Sequence, residues 1–407
     1  MIPRWLQSAI EESLRYRRVV HITGARQSGK TTVARSTPLE HFRRYTMDDG
    51  GLLETAKGDP FEFTKRKNGE TIVIDEVQKA PELLDAIKMH VDESTERGQY
   101  LLTGSSSLEF MRKSADSLAG RIHTVRLRTL TLGEINGCKP SFLDNAFRRE
   151  FKESKGESGK REIIRLAFCG GYPETLDFPQ RVRREWYHDY LRTLIMRDVK
   201  NVTQIRKVDV LGSFAEWLLA RSSKLWTWGE LCAVTQVSKE TAGSYVSAME
   251  ALYLIDKVPS WSKNDYDRAS KSPKYFATDT GLMANCLNWD EESTYLDSDL
   301  SGKIIESWAY HELSAVAECS CGSYEMAHYR DKDKREIDFL VTNDQGEMLG
   351  IEVKAGGRVG REDFNHLKWF AANLAQQPFT GIVLYSGANI LRFGEGFYAV
   401  PLSSLGA

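Results

Sequence analysis

Near the start of the chain, residues 21–32 read HITGARQSGKTT. Gly24, Ala25, Arg26, Gln27, Ser28, Gly29, Lys30 and Thr31 satisfy GxxxxGK[ST] at every fixed position, and Thr32 follows. Glycines let such a loop turn tightly, so that main-chain N–H groups point inward at phosphate oxygens. Lys30 would reach the outer phosphates, and the Thr31 hydroxyl would bind Mg2+. The bland alternative is a glycine turn between a strand and a helix. Further on, ETIVIDEVQKAPELL sets Asp75 and Glu76 at the end of an apolar run. Asp75 suits the metal shell, and Glu76 suits polarising an attacking water. Two carboxylates there could instead cap the helix expected around Pro81 to Glu96. GQYLLTGSSSLEF offers Thr103 and Ser105, either to hydrogen-bond a terminal phosphate or the water, or to N-cap a helix. In SLAGRIHTVRLRTL, Arg121 is a candidate for stabilising transition-state charge, in its own chain or across a subunit boundary. A surface arginine is the other reading, and Arg26 within the loop is a further candidate for touching a partner.

A second set lies towards the other end. In EIDFLV and GIEVKAG, Asp338 precedes Glu352 and Lys354, which flank Val353. Alternation along a strand puts Glu352 and Lys354 on one face and Ile351 and Val353 on the other. NDQGE can turn the chain so that Asp338 comes beside them. Carboxylates gathered in this way bind Mg2+, which activates water for attack on phosphorus, while a lysine helps deprotonate that water or stabilises charge. Glu306, on GKIIESWAYHEL, would add a carboxylate. Otherwise Glu352 and Lys354 form an ion pair on an edge strand and Asp338 partners Arg335 or Lys334. RDKDKRE (330–336) reads as the solvated tip of a hairpin.

These residues need elements to hold them. RVVHIT, TIVI and YLL are the β-branched, apolar runs of buried parallel strands, and ligands bind beyond the carboxyl ends of such strands. Ahead of them, Trp5, Leu6, Ile10 and Leu14 follow helical spacing. The fold class is α/β. Residues 1–140 form a P-loop ATPase core with a parallel sheet, and residues 141–211 a charged, helical linker region. In the latter, RVRREWYHDYLRTLIMRDVKNV suggests a helix buried along Trp186, Tyr190, Leu191 and Leu194, with its basic residues solvated. Residues 212–290 give three helices and a two-stranded hairpin, a winged helix-turn-helix. Its third helix offers bases little besides Lys239. The wing carries Lys263, Arg268, Lys271 and Lys274, enough for phosphate contacts, or it serves only as a packing module. Residues 300–407 follow an αβββαβ order, the core of the restriction-endonuclease-like fold.

This order of strands and motifs resembles the AAA-type branch of P-loop ATPases. Nearly the whole chain resembles a prokaryotic family of ATP-binding proteins that join an AAA domain to a C-terminal domain of unknown function. HITGARQSGKTT, IVIDEVQKAP, LLTGSSS, LAGR, LTLGEI, GGYPE, YFATDTGL and EIDFLV…GIEVKAG carry the resemblance. It implies ATP as the nucleotide and a similar domain order, and supplies no pathway. The residues agree on the base only negatively, since no guanine-reading NKxD is present.

The 55 Lys and Arg against 57 Asp and Glu give a net charge of −2, so any nucleic-acid contact has to come from local patches. The scattered cysteines (Cys138, Cys169, Cys232, Cys286, Cys319 and Cys321) include no CxxC pair and no zinc set. They read as reduced thiols of a cytoplasmic protein. No run approaches the ~20 apolar residues of a membrane span, and the first residues lack the apolar run of a signal peptide. Two functions follow. One is a Mg2+-dependent ATP hydrolase coupled to a nuclease-like C-terminal domain acting on nucleic acid, DNA or RNA. The other is a nucleotide-dependent switch that binds a protein partner, its nuclease-like domain silent. An arginine acting between subunits would require at least a dimer.

Overall fold

The computed structural model describes residues 2–105, 118, 120–151, 159–198, 210–263, 271–320 and 322–407. Arg268, Cys321 and the centre of the 143–166 linker lie outside these. The apolar runs form the expected strands: β1 (Val19–Thr23), β2 (Phe42–Thr46), β3 (Thr71–Asp75), β4 (Tyr100–Gly104) and β5 (Ile122–Arg126). They lie in the order β2-β3-β4-β1-β5, and every pairing is parallel. Alternation divides their side chains between two cores. Val20, Ile22, Val73, Leu101 and Val125 pack with Leu6, Ile10 and Leu14 of the first helix and Val33 of the next. Val19, Ile72, Ile74, Tyr100 and Leu102 pack with Leu83, Leu84, Ile87 and Val91 of the Glu82–Glu93 helix. Edge strand β2, FRRYT, has no apolar alternation and was not foreseen; none of its residues is buried. Because all five strands run one way, Thr23, Asp75 and Gly104 end at the same edge of the sheet.

The three middle helices appear as Leu211–Ala220, Trp228–Thr235 and Lys239–Ala251. Thr227 caps the second in a box with Glu230, and Ser238 caps the third by accepting from Thr241 N at 3.2 Å. In the Gln180–Thr193 helix the buried face carries Tyr187, Tyr190 and Leu191, so Tyr187 takes the place expected of Trp186. The hairpin of β6 (Ile255–Val258) and β7 (Lys274–Ala277) is antiparallel. Its described residues pack against the C-terminal domain. Trp261 N donates to His328 O (2.6 Å), His328 N donates to Pro259 O (2.9 Å), and Phe276 stacks on Tyr310 at 4.4 Å. The described part of this loop is therefore stitched to the C-terminal domain.

That domain opens with the Ser298–Cys319 helix, followed by β8 (Glu325–Arg330), β9 (Glu336–Thr342) and β10 (Met348–Lys354), paired antiparallel. The Asn365–Asn373 helix then crosses to β11 (Phe379–Tyr385), parallel to β10. This is the αβββαβ order read from periodicity. Two further strands were not expected: β12 (Leu391–Gly394) and β13 (Phe397–Pro401), with β13 parallel to β11. Asp331–Arg335 form the turn between β8 and β9, and Arg335 pairs with Asp331 and Asp333 rather than Asp338. Among the described residues no helix is long and apolar enough to cross a membrane, and the five described cysteines are free thiols.

Residues of GGYPE and YFATDTGL meet Thr129, just ahead of LTLGEI, at one buried carboxylate. Asp279 accepts from Thr129 Oγ1 (2.8 Å), Gly171 N (2.8 Å), Leu282 N (2.9 Å) and Tyr187 OH (3.3 Å). Gly171 must be glycine there, since a Cβ would stand 2.1 Å from Leu130 O. Close by, the Glu312 carboxylate accepts from Leu132 N at 3.0 and 3.1 Å. Burial pushes the Glu312 carboxyl up to about 8. A pKa raised on folding contributes stability that is full below the unfolded value and is lost as pH rises through about 8. Glu312→Gln keeps the acceptor and removes the titration. Relative to wild type it is expected to gain stability as pH rises from 5 to 8, by ~3 kcal/mol, measured by urea unfolding at each pH. A pH-independent difference would rule the buried proton out.

Candidate active site and a second acidic cluster

Gly24 and Gly29 take φ of +143° and +101°, and a Cβ on Gly24 would meet Leu127 O at 2.2 Å. Gln27 also adopts positive φ (61°). The loop thus wraps around itself before the Lys30–Ser36 helix begins. Lys30 Nζ is buried and donates to its own loop, to Gly24 O (2.9 Å) and Ala25 O (2.8 Å). Burial lowers the ammonium to about 8, an effect opposed by Glu76 and Asp75. Beneath the loop, His21 is buried with neither ring nitrogen hydrogen-bonded, and burial holds it neutral, down to about 3. Ser28 Oγ is buried without a partner, whereas Arg26, Gln27 and Thr32 are exposed.

The strand ends supply the rest. Thr31 Oγ1 donates to both Asp75 oxygens at 3.0 Å. Thr103 Oγ1 donates to Asp75 Oδ1 and accepts from Glu76 N (3.2 Å). Glu76 takes a left-handed backbone (φ 57°), which turns its carboxylate towards Gln78 Nε2. Gln78 in turn donates to Ser105 Oγ at 3.0 Å. Thr31, Asp75, Glu76, Thr103 and Ser105 are therefore brought together, with Thr103 on the metal-ligand candidate and Ser105 one residue further out, through Gln78. Arg121 is not brought there. It precedes β5, at the opposite end of a strand roughly 16 Å long, and pairs with Asp92 at its own end of the sheet. An in-chain catalytic role for Arg121 is corrected on that ground.

The sequence reading missed the residues that brace the loop from a distance. Arg4 donates to Ser28 O (2.7 Å), to Arg128 O (2.6 Å) and to Glu134 Oε1 (3.0 Å). Tyr190 OH donates to Arg26 O at 3.0 Å. Tyr253 OH bonds Thr23 Oγ1, the last residue of β1. Just beyond β5, Asp256 of β6 is held by Arg126 (2.8 Å), Arg128 (2.7 Å) and Tyr310 OH (2.8 Å). Arg128 also reaches Glu318 at 2.8 Å. Only Glu134, placed three residues after Thr131 as a capping box requires, had a local sequence signal.

The C-terminal residues also converge. The antiparallel register of β9 and β10 sets Ile351 opposite Phe339, so Glu352 and Asp338 follow as neighbours. Asp338 Oδ2 accepts from Val353 N at 2.9 Å. Glu306 faces the same spot, while Lys354 stays at the rim, 3.9 Å from Glu352 and from Asp363. The centre is taken by Lys274. Its Nζ lies 3.0 Å from Glu306 Oε1, 2.6 Å from Glu336 Oε1 and 3.4 Å from Asp338 Oδ1, and the residue is 2% exposed. This corrects the phosphate-contacting role expected of Lys274. Burial alone would lower that ammonium; the surrounding Glu306, Asp338 and Glu336 outweigh it and raise it. Burial and the Asp338 charge push Glu306 up to about 7 and raise Glu352 as well. Among the described residues no three His, Cys, Asp or Glu side chains are arranged to hold a metal ion by themselves.

Residues 16–136 match the family described as AAA domain. Residues 160–293 match a domain of unknown function (DUF8612), across the segments read separately as linker and winged helix, and residues 301–405 match another (DUF4143). The chain is similar to an uncharacterized protein of Mycobacterium tuberculosis (Rv2008c) and one of Mycobacterium bovis (Mb2031c). Each is 26% identical over 343 residues, 83% of this chain and 70% of the relative. Solved structures with some likeness include the Thermotoga maritima RuvB Holliday junction branch migration motor (14% identity, TM-score 0.27, 66% of this chain and 95% of that one). Another is the S. cerevisiae Hsp104–ADP complex (11% identity, TM-score 0.28, 77% and 45%). At these TM-scores the likeness says nothing about substrates or partners. The parallel five-stranded sheet with its phosphate loop resembles that of a P-loop ATPase, in keeping with the AAA domain match over residues 16–136.

Proposed function

We propose that the chain is a Mg2+-dependent ATP hydrolase whose nucleotide state is passed to its middle and C-terminal segments, a switch that acts on a partner. The observation that carries this reading is the set of Thr31, Asp75, Thr103 and Glu76 gathered at the carboxyl edge of the sheet beside Lys30. The donor set fits the group. An ammonium satisfied only by its own loop's carbonyls, and a buried orphan hydroxyl at Ser28, are groups that phosphate oxygens satisfy. Lys30 and the loop amides would hold the outer phosphates. Thr31 and Asp75 would hold Mg2+, which neutralises phosphate charge when bound. Glu76 orients the attacking water and accepts its proton, and Thr103 fixes the strand end through Asp75 and Glu76 N.

Transmission is supported by contacts already in place. Tyr190 and Tyr253 touch the loop and the strand that feeds it, and Asp256 ties β6 to Arg126, the last residue of β5, and to Arg128. Glu76→Gln is expected to bind Mg·ATP with near-unchanged affinity while turnover falls about a hundredfold or more, read by calorimetry and phosphate release. Turnover at the wild-type rate would remove Glu76 from its role.

A second reading is a Mg2+-dependent nuclease in the C-terminal domain, supported by the convergence of Glu306, Asp338 and Glu352 with Lys354 at the rim. In this arrangement the residues do not fit a metal, because Lys274 stands among them, and that favours the switch. Contact with DNA or RNA would fall to the exposed Lys263 and Lys271 rather than Lys274.

A further inference from the structure

The C-terminal cluster holds several carboxyl groups and one buried ammonium. Asp338 and Glu352 are buried, the Glu306 side chain is 12% exposed, and the ammonium set among them is that of Lys274. Glu336 lies nearer the rim, where Arg330 reaches it at 3.0 Å. Glu352 Oε1 is buried and accepts no hydrogen bond. Carboxylates crowded at one point, one oxygen still unpartnered, are the donor set that hard divalent cations take. An ammonium fills the same position with half the charge and three directed protons. The lysine arrives from another segment: it opens β7, whose loop is bonded to β8 and whose Phe276 packs on Tyr310 and Phe339. It is seated by packing as well as by charge.

We propose that Lys274 is the resident cation of this cluster, standing where a divalent cation would otherwise bind, so that lysine and metal exclude each other. The inference goes beyond ATP hydrolysis and does not depend on it. It makes the hairpin the element that decides whether the carboxylates of Glu306, Asp338 and Glu352 face a metal or a tethered amine.

The test uses the nucleotide-free full chain, stripped of metal and titrated with Mn2+, with bound ion counted from the loss of the free-ion electron paramagnetic resonance signal. Wild type and Asp338→Asn are expected to bind equal amounts. Lys274→Met is expected to take up an additional ion that Lys274→Met/Asp338→Asn does not. Mn2+ should also raise the melting temperature of Lys274→Met by about 5 °C or more beyond any change in wild type. Wild-type Mn2+ uptake that Asp338→Asn abolishes would overturn the proposal, because Lys274 would then not hold the position against a metal. A folded Lys274→Met that takes up no additional ion would overturn it too. If that variant folds poorly, Lys274→Met/Glu336→Gln removes a carboxylate with the amine and keeps Glu306, Asp338 and Glu352. The same additional ion is expected, and its absence counts against the proposal. ATP turnover of the same wild-type preparation reads the nucleotide site separately, so failure there leaves the result at the cluster standing.

Discussion

Lys30→Ala is expected to lower ATP turnover about a thousandfold while the chain stays folded. The Lys30 ammonium is buried and bonded to Gly24 O and Ala25 O, so its charge is held at the loop before any nucleotide arrives. Burial has already lowered it to about 8, and the negative charge of a bound triphosphate would raise it again. The charge is thus worth most with phosphate present and most of all when charge develops between the outer phosphates. In the empty protein alanine leaves two loop carbonyls to water. Phosphate release under steady-state conditions, with melting temperature as the folding control, checks this. Turnover within tenfold of wild type would mean that the loop works without its lysine.

Asp256→Ala is expected to cost about 3–5 kcal/mol of stability. Two guanidiniums and a phenol converge on Asp256, and the Arg128 side chain is 6% exposed. Burial would raise the Asp256 carboxyl, yet Arg126 and Arg128 hold it well below the usual carboxylate range. Removing it strands buried positive charge between the nucleotide domain, β6 and the Ser298–Cys319 helix. The Arg121–Asp92 pair, with side chains 34% and 40% exposed, is the contrast. Breaking that pair is expected to cost far less, because solvent screens both charges. Urea unfolding of both variants separates the cases, and a loss below ~1 kcal/mol in Asp256→Ala would show that the junction is not held by this charge.

Much of this molecule was legible because its information is local. RVVHIT, TIVI and YLL announce buried parallel strands, and the GxxxxGK[ST] spacing places Lys30 and Thr31 at a helix start. Alternation around Val353 put Glu352 and Lys354 on one face. Edge strand β2 was not legible, since FRRYT has no apolar period, and β12 and β13 carried no chemistry to draw attention to them. The bracing residues were hidden for another reason. Arg4, Tyr190, Tyr253 and Asp256 act on partners far away in the chain, and a side chain's destination is not written in its neighbourhood. Lys274 had a signal that was overlooked. In PKYFAT it alternates with Phe276, so the two share a face, and a strand that buries Phe276 carries the lysine inward with it. Reading it with the basic residues before it assigned it to solvent. Arg121 misled in the opposite way, because its place after a glycine and before a strand says nothing about which end of the sheet that is.

The central claim is tested most directly by titrating Mg·ATP into nucleotide-free wild-type protein in a calorimeter, beside Lys30→Ala. Saturable heat at one nucleotide per chain, absent from the variant, is the predicted result. Well-folded wild-type protein that gives neither heat nor a shift in melting temperature with Mg·ATP would contradict it.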